Sequence, residues 1–405
     1  MLRGKVGIAT LIAGVVVLAG CGSGGARKVR FADGVLGGKP VAERVAMPDG
    51  GELVVADINA FRDSITLPLS MLVEELEIIP LESRNEALFQ SGNVTVSDNY
   101  IGIATNVPRS FKLFDRSGKY LRDIGHEGRG PGEYGMIYSA AIDEESQTIY
   151  ILPWQTEQLL VFGIDGSIRK PVKLAYGSSK GVFDINADGT ISLATLPFGS
   201  PVWAWTQDRE GNVINEIANP APERHVDFSS EIVAGRNAGG FDPYMMIFGN
   251  PSSDTLGRYD VAAGRVRSLF TVKNILSKRP PYYMYGELPG HFYGRFAPGM
   301  EQVGANVSQG LPPQNFIVDK ETLQGAFFGL AIDELGGLDV GDWPEFSQGY
   351  YIGNFTTIGL KRQLGELIAS GRIPDPDVLQ RVVALNDSLL EEDNNVVLLG
   401  KLRNN

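Results

Sequence analysis

The stretch that decides the fold runs from Phe111 to Tyr134 and reads FKLFDRSGKYLRDIGHEGRGPGEY. Two short runs rich in aromatic and aliphatic residues, Phe111 to Phe114 and Tyr120 to Ile124, flank a turn around Gly118, which can adopt the positive φ that strains other residues. This pattern predicts a β-hairpin. The segment from Gly125 to Gly132 follows at once, and its four glycines and one proline exclude a regular element. We interpret that segment as a tight crossing between structural repeats.

Similar turns recur along the chain. Glycine turns between apolar runs have spacings of 48, 45 and 53 residues, and a weaker copy near Asp319 lacks the glycine; the four glycines are Gly118, Gly166, Gly211 and Gly264. A second series lies between them, with acidic residues 46 and 44 apart at Asp98, Glu144 and Asp188. Two interleaved series with one period indicate two hairpins per repeat. A period of roughly 45 to 55 residues is typical of four-stranded propeller blades.

The sequence therefore predicts an all-β fold, a six-bladed β-propeller of four-stranded antiparallel blades that occupies residues 65–405. The alternative is a pair of β-sandwiches, which also have short strands and turns but explain the double period less well. Helical spacing near the C-terminus predicts two short helices, at Ile358 to Ser370 and Val378 to Glu391. We expect the last strand, Val396 to Leu402, to pair with the early strand Leu76 to Leu81 and so close the ring.

The N-terminus predicts an exported, lipid-anchored protein. Residues 1–20 have a basic start and an apolar stretch too short to cross a bilayer comfortably, which is typical of a signal peptide. The stretch ends Leu18-Ala19-Gly20-Cys21 and resembles the lipobox of bacterial lipoproteins, in which the cysteine is acylated with chains such as palmitate. A plain signal peptide with an incidental cysteine is the alternative. We interpret residues 21–64 as a tether and lead-in to the propeller.

Composition limits the partners. Cys21 is the only cysteine, so the mature chain has no intrachain disulfide. Without residues 1–20 the chain has 34 basic and 48 acidic side chains, a net charge of −14. This excess of negative charge argues against nucleic acid and anionic lipid surfaces as partners. The expected contact with the membrane is through the N-terminal lipid alone. Gly22 rather than Asp after the cysteine resembles the enterobacterial sorting pattern, which implies the outer membrane of the cell envelope.

Three motifs carry a resemblance to a known family. They are Glu77 to Glu82, the block from Phe114 through Gly-Pro-Gly-Glu-Tyr at 130–134, and Glu392 to Leu399. Together they resemble the six-bladed β-propeller lipoproteins of Bacteroides-type bacteria, which are similar to NHL-repeat propellers. The family usually has Asn-Pro before the last strand, where this chain has Asn394-Asn395. The resemblance implies the fold and the cell envelope as location, and little chemistry.

No catalytic motif is present. The loop Gly125 to Gly132 is not followed by the helix that a phosphate cradle needs. The three histidines, His126, His225 and His291, lack a local metal spacing, and surface or loop positions are the expected ones. Turn carboxylates such as Asp98, Asp143 and Asp188 are expected to cap local amides rather than to bind metal. The sequence predicts no cofactor, no metal site and no catalytic residue.

Aromatic clusters are the candidate ligand contacts. Trp203 and Trp205 alternate along one strand and would share one face, although aromatic residues at that spacing are more often blade packing. Tyr282, Tyr283 and Tyr285 lie in a predicted loop-rich insertion, where exposed rings could stack on a glycan or peptide. We therefore expect a lipid-anchored binding module for an envelope protein, a small molecule or a glycan. The alternative is a metal-dependent hydrolase or lyase with its site in the central channel.

Overall fold

The computed structural model describes residues 36, 38–219, 229–246, 255–273, 282–297, 300–304, 307–310, 313–341 and 343–404. It also places a two-residue strand, Val16–Val17, antiparallel to Ile78 and Glu77. Cys21 and residues 1–15 and 18–20 of the predicted signal peptide lie outside the described residues.

The strands form six blades around an axis, which confirms the predicted propeller. Blades 1 to 3 are regular four-stranded antiparallel sheets in chain order. From the inner to the outer strand they are, for blade 1, Gly92–Val96, Tyr100–Thr105, Phe111–Asp115 and Tyr120–Ile124; for blade 2, Ile137–Asp143, Thr148–Pro153, Thr156–Gly163 and Val172–Ser178; and for blade 3, Gly181–Ile185, Ile191–Thr195, Val202–Gln207 and Val213–Ala218.

Blades 4 to 6 combine strands from distant parts of the chain. Blade 4 has an inner hairpin that a bridge between Phe241 and Tyr259 joins to the next strand. Its strands are Glu231–Ala234, Pro243–Met246, Thr255–Asp260 and Arg265–Lys273, extended by Glu52–Asp57 and Ala42–Ala46. Blade 5 contains Tyr282–Glu287, His291–Ala297, Gln314–Asp319 and Gly325–Ile332, extended by Leu338–Asp339 and Ser64–Pro68. Blade 6 contains Glu345–Ser347, Tyr350–Phe355, Val396–Leu402 and Val73–Pro80. Short elements outside the blades are the strand pairs His126–Glu127 with Glu133–Tyr134 and Met300–Gly304 with Val307–Gly310, and the 3-10 turns Ile58–Ala60, Leu69–Met71 and Asp333–Leu335.

The recurring Asp and Gly turns connect strands at one face of the disc. In blade 1, Asp115 Oδ1 accepts hydrogen bonds from the amides of Ser117 at 2.9 Å and Lys119 at 3.1 Å, and Gly118 has φ of 83°. In the fifth copy, which lacks the glycine, Leu323 takes the left-handed conformation with φ of 60°. The turn geometry thus persists where the sequence signal fades, because the carboxylate of Asp319 still caps the turn.

The N-terminal lead-in is not a tether over its described part. Residues 21–64 were expected to be outside the propeller, but Glu52–Asp57 pairs in parallel with the outer strand of blade 4. Ser64–Pro68 then pairs in parallel with Gly325–Ile332 of blade 5. The chain therefore runs along the outer edges of blades 4 and 5 before it enters blade 6. These pairings satisfy edge amides and carbonyls that would otherwise face solvent.

The ring is closed by the two ends of the chain, as predicted. Val396–Leu402 lies between Tyr350–Phe355 and Val73–Pro80 and pairs antiparallel with both. The register joins Leu398 to Ile78 and Leu399 to Glu77. Blade 6 therefore takes its outer strand from the N-terminal part of the propeller and the other three from the C-terminal part.

Two helices lie between the second and third strands of blade 6, close to their predicted bounds. They are α1, Thr357–Ala369, and α2, Pro376–Ser388. Asp375 caps α2 because its carboxylate accepts from the amides of Asp377 and Val378. The helices contribute three fully buried side chains to the core, Leu360, Leu364 and Val382.

Among the described residues the core is divided into six hydrophobic clusters, one between each pair of neighbouring blades. The cluster between blades 5 and 6 also takes in the two helices. Because each blade is apolar on both faces, no blade can bury its surface alone, and the ring is needed for stability.

Candidate ligand-binding cavity on the propeller axis

A cavity of about 300 Å³ lies on the axis of the disc. The inner strands of all six blades line it, and the chain segments involved are 93–95, 137–140, 182, 232–236, 284–286 and 345–348. The wall is completed by Ala104, Asp242, Tyr244, Leu256, Tyr293 and Trp343. The cavity is thus built from residues far apart in the sequence, which the radial arrangement of the blades brings together.

Hydrogen bonds between blades 4 and 6 close one end of the cavity. The amide of Gln348 donates to the carbonyl of Gly235 at 2.7 Å. Asn237 donates through Nδ2 to Phe346 O at 3.0 Å, and its Oδ1 accepts from the amide of Gly349 at 3.1 Å. Blades 4 and 6 are not neighbours in the ring, so these bonds pass on the axial side of blade 5. We name residues 235–237 and 346–349 the axial latch.

Two residues of the axial latch hold a backbone conformation that is uncommon for their type. Arg236 has φ of 56° and Gln348 has φ of 57°. The side chain of Gln348 accepts a hydrogen bond from the amide of Val96 in blade 1 at 2.9 Å, so blade 1 is tied to the same point. Left-handed residues other than glycine persist where surrounding contacts fix them, and they are frequent at functional sites.

Arg236 links the cavity to the charged groups around it. Its guanidinium lies 3.2 Å from Asp184 Oδ1 of blade 3, and its backbone amide donates to Asp242 Oδ1 at 2.7 Å. Asp242 is buried, and desolvation raises its pKa to about 6. Desolvation also raises the pKa of Asp184, while the nearby Arg236 charge opposes that shift. The guanidinium is therefore engaged on the blade 3 side, away from the cavity.

Glu345 is the second carboxylate of the cavity wall. It is the first residue of the inner strand of blade 6, immediately before the axial latch. Its side chain is exposed, but to the cavity rather than to the outer surface, and surrounding protein raises its pKa to about 7. Among the described residues, Glu345 has no ion-pair partner.

An aromatic chain runs beside Glu345. The ring of Tyr293 lies 5.8 Å from that of Trp343 and 5.1 Å from that of Phe346. Phe346 in turn lies 5.9 Å from Tyr351. Gly286 faces Tyr293 across the strand pair, and a Cβ there would come within 2.3 Å of its ring. Gly286 thus makes room for Tyr293 at the cavity wall.

A second opening lies beyond the axial latch. This cleft has a volume of about 590 Å³ and is formed mainly by the turns of blades 2 and 3. Arg236 and Gln348 line both the cleft and the axial cavity. The axial latch therefore separates the cavity from the face of the disc that carries these turns.

The two tryptophans expected as ligand contacts pack inside the blades. Trp205 is fully buried between blades 2 and 3, where its Nε1 donates to Gln207 Oε1 at 2.8 Å. Trp203 is half-buried against the cluster between blades 3 and 4. The expectation that they share a face is wrong because a β-bulge between Val202 and Ala204 shifts the register. Packing, the alternative considered from the sequence, accounts for their positions.

The tyrosine-rich run is a strand, not the predicted loop-rich insertion. Tyr282–Glu287 is the inner strand of blade 5, because its tyrosines favour extended backbone and the strand pairs with His291–Ala297. Tyr283 and Tyr285 are buried in the cluster between blades 4 and 5. Tyr285 also lines the axial cavity. The side chain of Tyr282 lies outside the described part of the chain.

The glycine-rich segment after blade 1 is the crossing to blade 2, as interpreted from the sequence. Glu133 Oε2 accepts from the amides of Arg129 and Gly130, both at 2.7 Å. These bonds and one with His126 hold the pKa of Glu133 below its usual value. Tyr134 Oη donates to the carbonyl of Ile124 at 2.6 Å and fixes the end of the segment. A side-chain carboxylate thus occupies the amides that an anion would need.

The two histidines that the structure describes do not line the axial cavity. His126 lies on the surface beside Glu133, and His291 is buried in blade 5 at 3.5 Å from Asp319 Oδ2. His225 lies outside the described residues. Within the part of the chain that the structure describes, no three His, Cys, Asp or Glu side chains form a metal-binding group. No helix in that part is long and apolar enough to span a bilayer.

Sequence reasoning missed the residues that make the cavity. Glu345 begins a short strand with no repeat signature, and Trp343 lies two residues before it. Arg236 lies in a loop and Gln348 in a turn. The weak signal available was a carboxylate at the start of an inner strand. Only the ring of blades shows that these residues face one space.

Comparison with known proteins supplies the family. A family described as a domain of unknown function, DUF4934, matches residues 53–257. The chain belongs to this family. The match covers 205 of the 405 residues, from the strand added to blade 4 through blade 3 and into blade 4.

One solved structure supports the fold, and a second is similar at a lower level. An exported protein from Bacteroides fragilis aligns with a TM-score of 0.59 and 16% identity, over 87% of this chain and 99% of that one. A DUF4221 family member from Bacteroides vulgatus aligns with a TM-score of 0.43 and 13% identity, over 82% and 98% of the chains. No curated protein sequence matches this DUF4934 member. These similarities concern architecture, and the NHL-type repeat and lipoprotein membership stay predictions.

Proposed function

We propose that this DUF4934 protein is a lipid-anchored binding module of the cell envelope that holds a small ligand in its axial cavity. The observation that carries the proposal is the cavity itself, whose wall combines a carboxylate, aromatic rings and a closed end. Concave sites with apolar walls and a few polar groups are the usual form of small-molecule sites. The cavity volume suits a compact ligand rather than a polypeptide chain.

The anchor in this proposal is Cys21. Acylation at Leu18-Ala19-Gly20-Cys21 would attach the mature protein to the membrane, and the following residues would span the distance to the propeller. We expect Cys21→Ser protein to leave the membrane fraction and the parent to remain in it. A substituted protein that fractionates with membranes as the parent does would remove the anchor from the proposal.

A substitution that fills the cavity tests the ligand site. Val233 lines the cavity with its side chain 40% exposed, so a larger side chain there enters open space rather than the core. Val213 has the same exposure, 40%, on the outer strand of blade 3. Val233→Trp and Val213→Trp therefore differ in location while they make the same chemical change.

The measurement is retention of small molecules from an envelope extract. The mature protein is incubated with the extract, filtered to remove free solutes, denatured, and its released compounds are identified by mass spectrometry. We expect the parent and Val213→Trp to retain a compound that Val233→Trp does not. Equal retention by all three proteins, or no retained compound, contradicts the axial site.

A further inference from the structure

The charge balance of the axial cavity is negative. Among the described lining residues, the acidic ones are Asp242 and Glu345, and the single cation is Arg236. Arg236 directs its guanidinium to Asp184, outside the cavity, and its backbone amide contacts Asp242. Glu345 is left to face the cavity without a cation from the described chain. A carboxylate surrounded by protein is costly to ionise unless an opposite charge accompanies it.

Aromatic side chains stand beside that carboxylate. Tyr293 and Trp343 both line the cavity, and their rings lie 5.8 Å apart. Phe346 and Tyr351 continue the aromatic chain behind them. The faces of aromatic rings attract cations, and quaternary ammonium ligands are recognised in aromatic cages for this reason. The same wall that accepts an apolar ligand is therefore suited to a cation with apolar substituents.

We propose that the axial cavity binds a small organic ammonium ion, with Glu345 as its counter-ion and Tyr293 and Trp343 as the rings that contact its apolar substituents. This inference rests on the proposed function, because it names the ligand class of the same cavity. The cavity volume of about 300 Å³ limits the ligand to a compact molecule. The hydroxyls of a neutral sugar would donate hydrogen bonds to the carboxylate but would leave its negative charge without a counter-ion.

Two probes separate charge from shape. Choline carries a trimethylammonium group, and 3,3-dimethylbutan-1-ol replaces its nitrogen with carbon and is neutral. Binding of each to the mature protein is measured by isothermal titration calorimetry at pH 8. We expect saturable binding of choline and at least about tenfold weaker binding of the neutral alcohol, because only the cation pairs with the carboxylate and the ring faces.

Substitutions identify the groups responsible. Glu345→Gln keeps the shape of the side chain and removes its charge, and we expect it to weaken choline binding at least about tenfold. Trp343→Ala is expected to weaken it as well. Glu391→Gln makes the same change on an exposed surface residue and should bind choline as the parent does.

The pH dependence adds a readout that a structural role would not produce. The titratable groups whose charges interact with Glu345 are Tyr293 and Tyr351, and Asp242 interacts with the same Tyr293. The tyrosines stay neutral near pH 7 because desolvation raises the pKa of both. The pKa of Glu345 lies near 7, so its carboxylate becomes protonated as the pH falls from 8 to 6. We expect choline binding to weaken severalfold to about tenfold over that range. Glu345→Gln should lose that part of the pH dependence.

The outcomes distinguish this inference from the proposed function. Equal binding of both probes, or choline binding that Glu345→Gln leaves unchanged, overturns the ammonium assignment and leaves an axial site for a neutral ligand. If neither probe binds, but the parent still retains an extract compound that Val233→Trp does not retain, only the ammonium assignment is overturned. If the parent and Val233→Trp do not differ in the compound they retain from the extract, both the axial site and the ammonium inference are overturned.

Discussion

The closing strand of blade 6 supports a quantitative prediction, because its two faces pack against different neighbours. Leu398 is fully buried in the cluster between blades 5 and 6, and Leu399 is fully buried in the cluster between blades 6 and 1. Replacing either with alanine removes contacts from one interface and leaves the other intact. The pair therefore tests both sides of the closure separately.

The expected cost follows from burial. Leu→Ala substitutions at fully buried sites cost about 2 to 5 kcal/mol, through lost transfer free energy and the cavity left behind. Total stabilities of domains are about 5 to 15 kcal/mol, so each substitution should remove a large part of the free energy of unfolding. Removing the strand altogether, in a chain that ends at Asn395, should prevent a stable ring from forming. The five apolar residues lost are Val396, Val397, Leu398, Leu399 and Leu402, each worth about 1.5 to 3 kcal/mol when buried.

The assay is urea unfolding of the mature protein, followed by tryptophan fluorescence. Leu390→Ala is the control, since Leu390 is 57% exposed in the connection that precedes the strand. We expect Leu398→Ala and Leu399→Ala to shift the midpoint strongly to lower urea and the control to change the free energy of unfolding by less than about 0.5 kcal/mol. If Leu398→Ala and Leu399→Ala unfold at the same urea midpoint as the parent and the control, the closing strand is not the element that holds the ring.

Three further predictions concern single side chains. Asn394→Ala should cost about 1 to 3 kcal/mol in urea unfolding, because the buried Asn394 amide donates to two carbonyls at the closure; an unchanged midpoint would contradict this role. Glu133→Ala should speed tryptic cleavage after Arg129, since the amides that Glu133 caps lose their acceptor; equal cleavage rates would show that the crossing is held by other contacts. Glu345→Gln should raise the melting temperature at pH 8 and leave it unchanged at pH 4. Burial raises the pKa of Glu345 in the folded protein above its value in the unfolded chain. The parent is therefore fully stable below the unfolded-state pKa and loses stability as the pH rises through about 7. An equal effect of the substitution on the melting temperature at both pH values would contradict this sign.

The sequence predicted the blades well where local turn chemistry and strand pattern agree. In blades 1 to 3 the Asp and Gly turns, the alternating strands and the crossing before Tyr134 all point to the same structure. The closure was also predictable, since a ring must pair its first and last strands. The predicted helices lie within about one to three residues of their observed bounds, an error normal for element ends.

The lead-in was misjudged because its strands have no partner nearby in sequence. Glu52–Asp57 pairs with Arg265–Lys273, more than 200 residues away, and the pairing is parallel. A local pattern cannot reveal such a contact. Blade 5 was misjudged for a related reason: its inner strand carries three tyrosines, which in isolation suggest an exposed aromatic surface rather than packing between blades.

The candidate site was least accessible to sequence reasoning, since no motif connects Arg236, Tyr293 and Glu345. Their proximity depends on three blades and on the latch that joins the first of them to the last. Of the aromatic residues predicted as ligand contacts, Trp205, Tyr283 and Tyr285 are buried between blades, and Tyr285 also lines the cavity. Ring size alone does not separate packing from binding, because both use the same apolar surface.

Closure of the ring and the ligand cavity are physically coupled through blade 6. Glu345 stands on an inner strand that pairs with Tyr350–Phe355, and this strand in turn pairs with the closing strand Val396–Leu402. Loss of the closing strand would therefore release the support behind the carboxylate as well as the edge of the blade. A ligand that binds only the closed ring stabilises it by mass action, by about 2.7 kcal/mol at one hundred times its dissociation constant. Occupation of the cavity and closure of the ring should thus favour each other, and a ligand at Glu345 would protect the fold that positions it.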